Sequence, residues 1–127
     1  MKNKFVIITN NPLVREELGA KFNVEYLDCT YEEILSEVKR RIYDGYELLT
    51  HPLSGSVKPK ETPYKSIMVS EDKRGLNAQS IQLIEHAIAT CNKFRDRRDE
   101  YPPQVFEDFQ VVDLTLISSA LPSATAW

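Results

Sequence analysis

The sequence predicts a small α/β domain in three layers, a sheet with helices on both faces. Three observations carry this expectation. KFVIIT at 4–9 is a continuous apolar run rich in β-branched residues, as in a strand covered on both sides. Thr30 and Glu33 form a capping box that opens an apolar helical face made by Tyr31, Ile34, Leu35, Val38 and Ile42. Strand-like and helix-like segments then alternate, the pattern of parallel strands joined by crossover helices. The expected architecture is a mostly parallel four-stranded sheet, Rossmann-like or flavodoxin-like, with a C-terminal helical segment.

In order along the chain, the first strand ends at Asn10-Asn11-Pro12. Asn11 suits a helix N-cap and Pro12 the first helical position, so a short helix begins there and stops near Gly19. FNVEYLD at 22–28 alternates as a strand near a sheet edge, and the capped helix over 30–44 is terminated by Gly45. YELLT at 46–50 is the third strand and SIMVS at 66–70 the fourth, separated by a polar loop with three prolines. Asn77 opens a long helix reaching about Arg98, with Ile81, Ile84, Ile88 and Cys91 facing inward. After Pro102 and Pro103, the spacing of Val105, Phe109, Val112 and Leu116 favours a helix, although QVVDLTLI is also β-prone. These four residues should be buried against the body or across a homodimer interface. Residues 1–127 then form one domain, with 103–120 as a docking segment and 122–127 as a frayed tail.

Composition excludes several functional classes. With 42% hydrophobic and 28% charged residues, the chain can build a core of ordinary globular type. The net charge of -3, with cations on both halves, lacks the basic stripe that nucleic acid requires. Cys29 and Cys91 are far apart and form no CxxC or Cys/His cluster, so neither metal nor cofactor is expected. The apolar run at the N-terminus is too short for a signal peptide or membrane span, and the expected location is the cytoplasm.

In an open α/β sheet, ligands gather beyond the carboxyl ends of the strands. Two polar stretches fall at such ends: Thr9-Asn10-Asn11-Pro12 after the first strand, and residues 51–65 after the third. The second is long for a compact domain and locally basic, with His51, Lys58, Lys60 and Lys65 against Glu61. Ser54, Gly55 and Ser56 offer hydroxyls and backbone N–H groups to an anion, and Tyr64 a wall with a hydroxyl at its tip. The candidate site is therefore Asn10, Asn11, His51, Ser54, Gly55, Ser56, Lys58, Tyr64 and Lys65, holding a carboxylate or phosphate. It requires the first and third strands to be neighbours. Each residue also has a plain structural use: Asn11 as a cap, His51 as a strand-closing hydrogen bond, Gly55 as a turn, the lysines as a solvated edge. No nucleophile elbow, Walker loop or metal set is present, and His86 is expected to be exposed on its helix.

ITNNPLV at 8–14 and THPLSGSVKPKETPYKSI at 50–67 resemble the hallmarks of the GrdX family, and the likeness extends across most of residues 1–120. The resemblance implies a link to glycine, sarcosine or betaine reductase metabolism. It implies no mechanism and transfers no catalytic residues. Three functions follow as expectations: an accessory protein binding a small anionic ligand, a small enzyme with His51 as acid-base and Lys58 or Lys65 holding an anion, or an assembly factor docking on a reductase subunit.

Overall fold

The computed structural model describes residues 4–53 and 57–121. The elements are β1 (Phe5–Thr9), α1 (Pro12–Leu18), β2 (Val24–Tyr26), α2 (Tyr31–Tyr43), β3 (Tyr46–Leu48), β4 (Ser66–Lys73), α3 (Ala78–Cys91), a 3₁₀ turn (Arg98–Glu100) and α4 (Pro103–Ser118). Local chemistry accounts for their starts. The Asn11 side chain accepts from the Leu13 N–H at 3.0 Å, with Pro12 in the first helical position. Thr30 and Glu33 form the reciprocal capping box. Gly45, at φ 103, takes the left-handed conformation that ends α2. The helix α3 stops at Cys91, short of the expected Arg98, because NKFRDRR offers only Phe94 to continue its apolar face.

The sheet order is β2-β1-β4-β3. β1 and β2 are parallel, whereas β4 runs antiparallel to both β1 and β3. This corrects two expectations: the sheet is mixed, not mostly parallel, and β4 separates the first strand from the third. The cause lies between β3 and β4. A parallel neighbour needs a crossover, usually a helix, but this connection contains no helix among its described residues and returns the chain in the opposite direction.

The alternation of side chains along the central strands sorts the core into two halves. Val6, Ile8, Ile67 and Val69 pack under α2 and α3 with Ile34, Leu35, Val38, Ile42 and Ile84. Phe5, Ile7 and Met68 face the other way, with Val14 of α1 and Ile117 of α4. The sheet thus lies between two helical layers. The final segment is a helix, resolving the ambiguity of QVVDLTLI, but it does not bury the whole expected row against the body. Val105 and Phe109 are half-buried, while Val112 and Leu116 remain 42% and 37% exposed. The buried positions are Asp113 and Ile117 instead.

Candidate functional site

The register of the two central strands sets the floor of the site. Thr9 and Ser66 are cross-strand partners at the carboxyl end of β1 and the start of β4. Both side chains point to the face covered by α4, and their hydroxyl oxygens lie 2.6 Å apart. Buried hydroxyls need partners in a low-dielectric interior. Asp113 of α4 supplies one, its Oδ2 accepting from Ser66 Oγ at 2.7 Å. The same oxygen accepts from Asn11 Nδ2 at 3.0 Å, and that amide also donates to the Gln110 carbonyl at 2.9 Å. The Thr9 hydroxyl accepts from the Asn11 N–H at 2.9 Å. A five-residue polar network, Thr9, Asn11, Ser66, Gln110 and Asp113, therefore fastens the β1–α1 turn, the start of β4 and the middle of α4 together.

Asn10 ties the loop before β4 to the same place. Its Nδ2 donates to the carbonyls of Cys29 and Pro63 at 3.0 and 2.9 Å, and its Oδ1 accepts from the Lys65 N–H at 2.8 Å. Further along the loop, the Lys60 ammonium is buried against Glu32 and the Phe94 carbonyl. The Tyr101 hydroxyl donates to the Glu61 carbonyl at 2.5 Å. These anchors hold residues 60–65 against the body.

A small open recess, with room for about one water, lies between this loop and α4. Lys65, Asp113, Tyr64 and Thr62 supply its polar lining, and Tyr31, Val57, Val112 and Leu116 its apolar walls. Lys65 is only 8% exposed and Asp113 only 6%. No hydrogen bond or ion pair joins the Lys65 ammonium to another described residue, but no described side-chain nitrogen or oxygen is both buried and unpartnered, so the ammonium reaches solvent through the recess. Burial pushes its pKa down from the ordinary lysine value, and the Asp113 charge acts in the opposite direction. Burial likewise pushes the Asp113 carboxyl up, against the hydrogen bonds from Ser66 and Asn11 and the charge of Lys65. The Tyr64 hydroxyl accepts from Gln110 Nε2 at 3.0 Å, leaving its own proton available to donate.

The candidate residues separate into groups. Asn10, Asn11, Tyr64 and Lys65 converge beyond the end of β1, the two asparagines holding backbone and the other two lining the pocket. His51 is exposed, its Nδ1 engaged with the backbone of Leu53 at 2.9 Å to the carbonyl, and it is not among the pocket's residues. Lys58 is exposed. Ser54, Gly55 and Ser56 lie outside the described residues. Sequence reasoning missed Asp113, Ser66, Thr9 and Gln110. Asp113 carried a readable signal, a single carboxylate inside the apolar run VVDLTLI. Among the described residues, no group of three or more His, Cys, Asp or Glu could hold a metal ion, and no helix is long and apolar enough to cross a membrane. His86 is exposed on α3.

Fold and recess together define a small α/β protein with a small recess lined by charged residues at the carboxyl end of a central strand. The model of the GrdX-like protein family matches residues 6–122, nearly the whole of the 127-residue chain. The chain belongs to the GrdX-like family. No curated protein and no solved structure matches it.

Proposed function

We propose that this GrdX-like protein is a non-catalytic accessory protein of glycine, sarcosine or betaine reductase metabolism. In this reading it works in the cytoplasm and binds a small carboxylate-bearing metabolite in the pocket between Lys65 and α4. The observation that carries the reading is the Lys65 ammonium itself. The Lys65 stem is buried while its ammonium pairs with no described residue and opens onto the recess, where a ligand can reach it. A ligand carboxylate supplies both the charge and the acceptors. The metabolic assignment rests on family membership alone. Docking on a reductase subunit, or pairing with a second copy, is compatible with the same pocket. This recess does not support the alternative of an enzyme driven by His51, whose ring is not among its lining residues and whose Nδ1 meets the Leu53 backbone.

Thermal unfolding with acetate or propionate, against chloride at equal ionic strength, tests the proposal. A ligand that binds only the native state raises the melting temperature, by about 2.7 kcal/mol of stabilisation at a hundredfold excess over Kd. The carboxylates should stabilise the wild type and lose that effect in Lys65→Met. Equal responses to carboxylate and chloride would refute the assignment.

A further inference from the structure

Lys65 and Asp113 both line the recess between the loop and α4, but only one of these charges is matched. Asp113 receives the Ser66 hydroxyl, the Ser66 N–H and the Asn11 amide. The Lys65 ammonium is joined by no hydrogen bond or ion pair to another described residue, and it opens onto the recess. The recess therefore favours an anion over a cation. Its size sets a second condition. With room for about one water, it admits only the tip of a ligand, and the remainder must lie outside.

What lies outside is apolar. Val112 and Leu116 line the recess, yet they stay 42% and 37% exposed, so they continue its wall onto the open surface of α4. They are four residues apart, on one side of the helix and about 6 Å from each other along its axis. The exposed carboxylates Glu107 and Asp108 stand toward the start of α4. From Val112 onward the helix carries no charge except the buried Asp113.

We infer that the site takes an aliphatic monocarboxylate, with a carboxylate oxygen at Lys65 and the carbon chain lying outside the recess over Val112 and Leu116. The inference rests on the reading of this recess as a carboxylate site and adds the part of the ligand that the recess cannot hold. One ligand then accounts for two features at once, the unpartnered ammonium and the exposed apolar pair beside it. Covering that pair removes apolar surface from water on both partners, which a carboxylate contact alone does not do.

The test is a chain-length series. Acetate, butyrate and hexanoate, with hexanol as the uncharged control, are titrated into the full-length protein at constant ionic strength near neutral pH, following amide resonances. A methylene taken fully out of water is worth about fourfold in affinity. Over an open surface, hexanoate should still bind at least about tenfold more tightly than acetate, and hexanol more weakly than hexanoate. Val112→Thr combined with Leu116→Gln should flatten the series and leave acetate unchanged. If acetate binds the wild type as tightly as hexanoate, the inference fails while the carboxylate reading stands. Hexanol binding as tightly as hexanoate would overturn it as well, because the charge would then select nothing. If no carboxylate perturbs the recess resonances, both readings fail. The wild-type series decides the matter even if the double variant does not fold.

Discussion

The Asn11 side-chain amide donates to the Asp113 carboxylate at 3.0 Å across 102 residues of sequence. One small side chain thus caps α1 through its oxygen and fastens α4 through its nitrogen. The bond places the pocket's buried anion, so the stability of the turn and the geometry of the site depend on the same residue.

Asn11→Ala should therefore destabilise the protein beyond the loss of a helix cap. The cap contributes about 1 kcal/mol, and leaving Asp113 and the Gln110 carbonyl without this donor adds about 1–3 kcal/mol. Asn11→Ser retains a capping oxygen and should fall between wild type and alanine. Denaturant unfolding measures both. An alanine variant indistinguishable from wild type would show that the network contributes nothing.

Asp113 supplies a pH-dependent prediction. Its carboxyl is held above the ordinary value, chiefly by burial, so the folded state binds its proton more readily than the unfolded chain does. The resulting stabilisation is fully present below the unfolded value of 3.8 and is lost as pH rises through the folded value. Wild type should gain stability relative to Asp113→Asn as pH falls from about 7 toward about 4. A difference between the two proteins that stays flat over this range would contradict the burial of the carboxyl.

Ile34 is fully buried in the first turn of α2. Ile34→Asp places a charge without a partner in the core and should cost more than about 4 kcal/mol, enough to prevent folding. Leu76 is 69% exposed, and Leu76→Ser should stay within about 0.5 kcal/mol of wild type. Circular dichroism melts distinguish the two, and a well-folded Ile34→Asp would overturn the assignment of this helix to the core.

Removing residues 104–127 uncovers the half of the core formed by Phe5, Ile7, Val14 and Met68, and strips Asp113 from Ser66. The shortened protein should melt at lower temperature and aggregate or change its elution volume. An unchanged melting temperature and size-exclusion profile would show that α4 is not an integral layer.

Much of the fold was legible because local rules and tertiary structure agree. The Thr30–Glu33 box, the Asn11-Pro12 start and the Gly45 stop each act over a few residues, and each has its expected role. The strand order was less legible. It depends on the absence of a helix among the described residues between β3 and β4, a stretch that reads in the sequence as a functional polar loop instead of a reversal of direction. That reversal brings Pro63, Tyr64 and Lys65, in place of His51, to the end of β1. On α4, the apolar spacing pointed to Val112 and Leu116, whereas the helix turns Asp113 and Ile117 inward. A pattern that assigns polar residues to solvent cannot identify a carboxylate buried to satisfy Ser66 and Asn11. The candidate site is the place where that assumption fails.

The most direct test of the central claim follows Lys65 itself. Its side-chain carbon resonances, assigned by comparison with Lys65→Met, report the protonation of the amine as pH is raised. Lys65 should titrate below the ordinary lysine value, because burial disfavours its charged form. Acetate, against chloride at equal ionic strength, should shift that midpoint upward, because a bound carboxylate stabilises the ammonium. A Lys65 that titrates at the ordinary lysine value and ignores acetate would contradict the account.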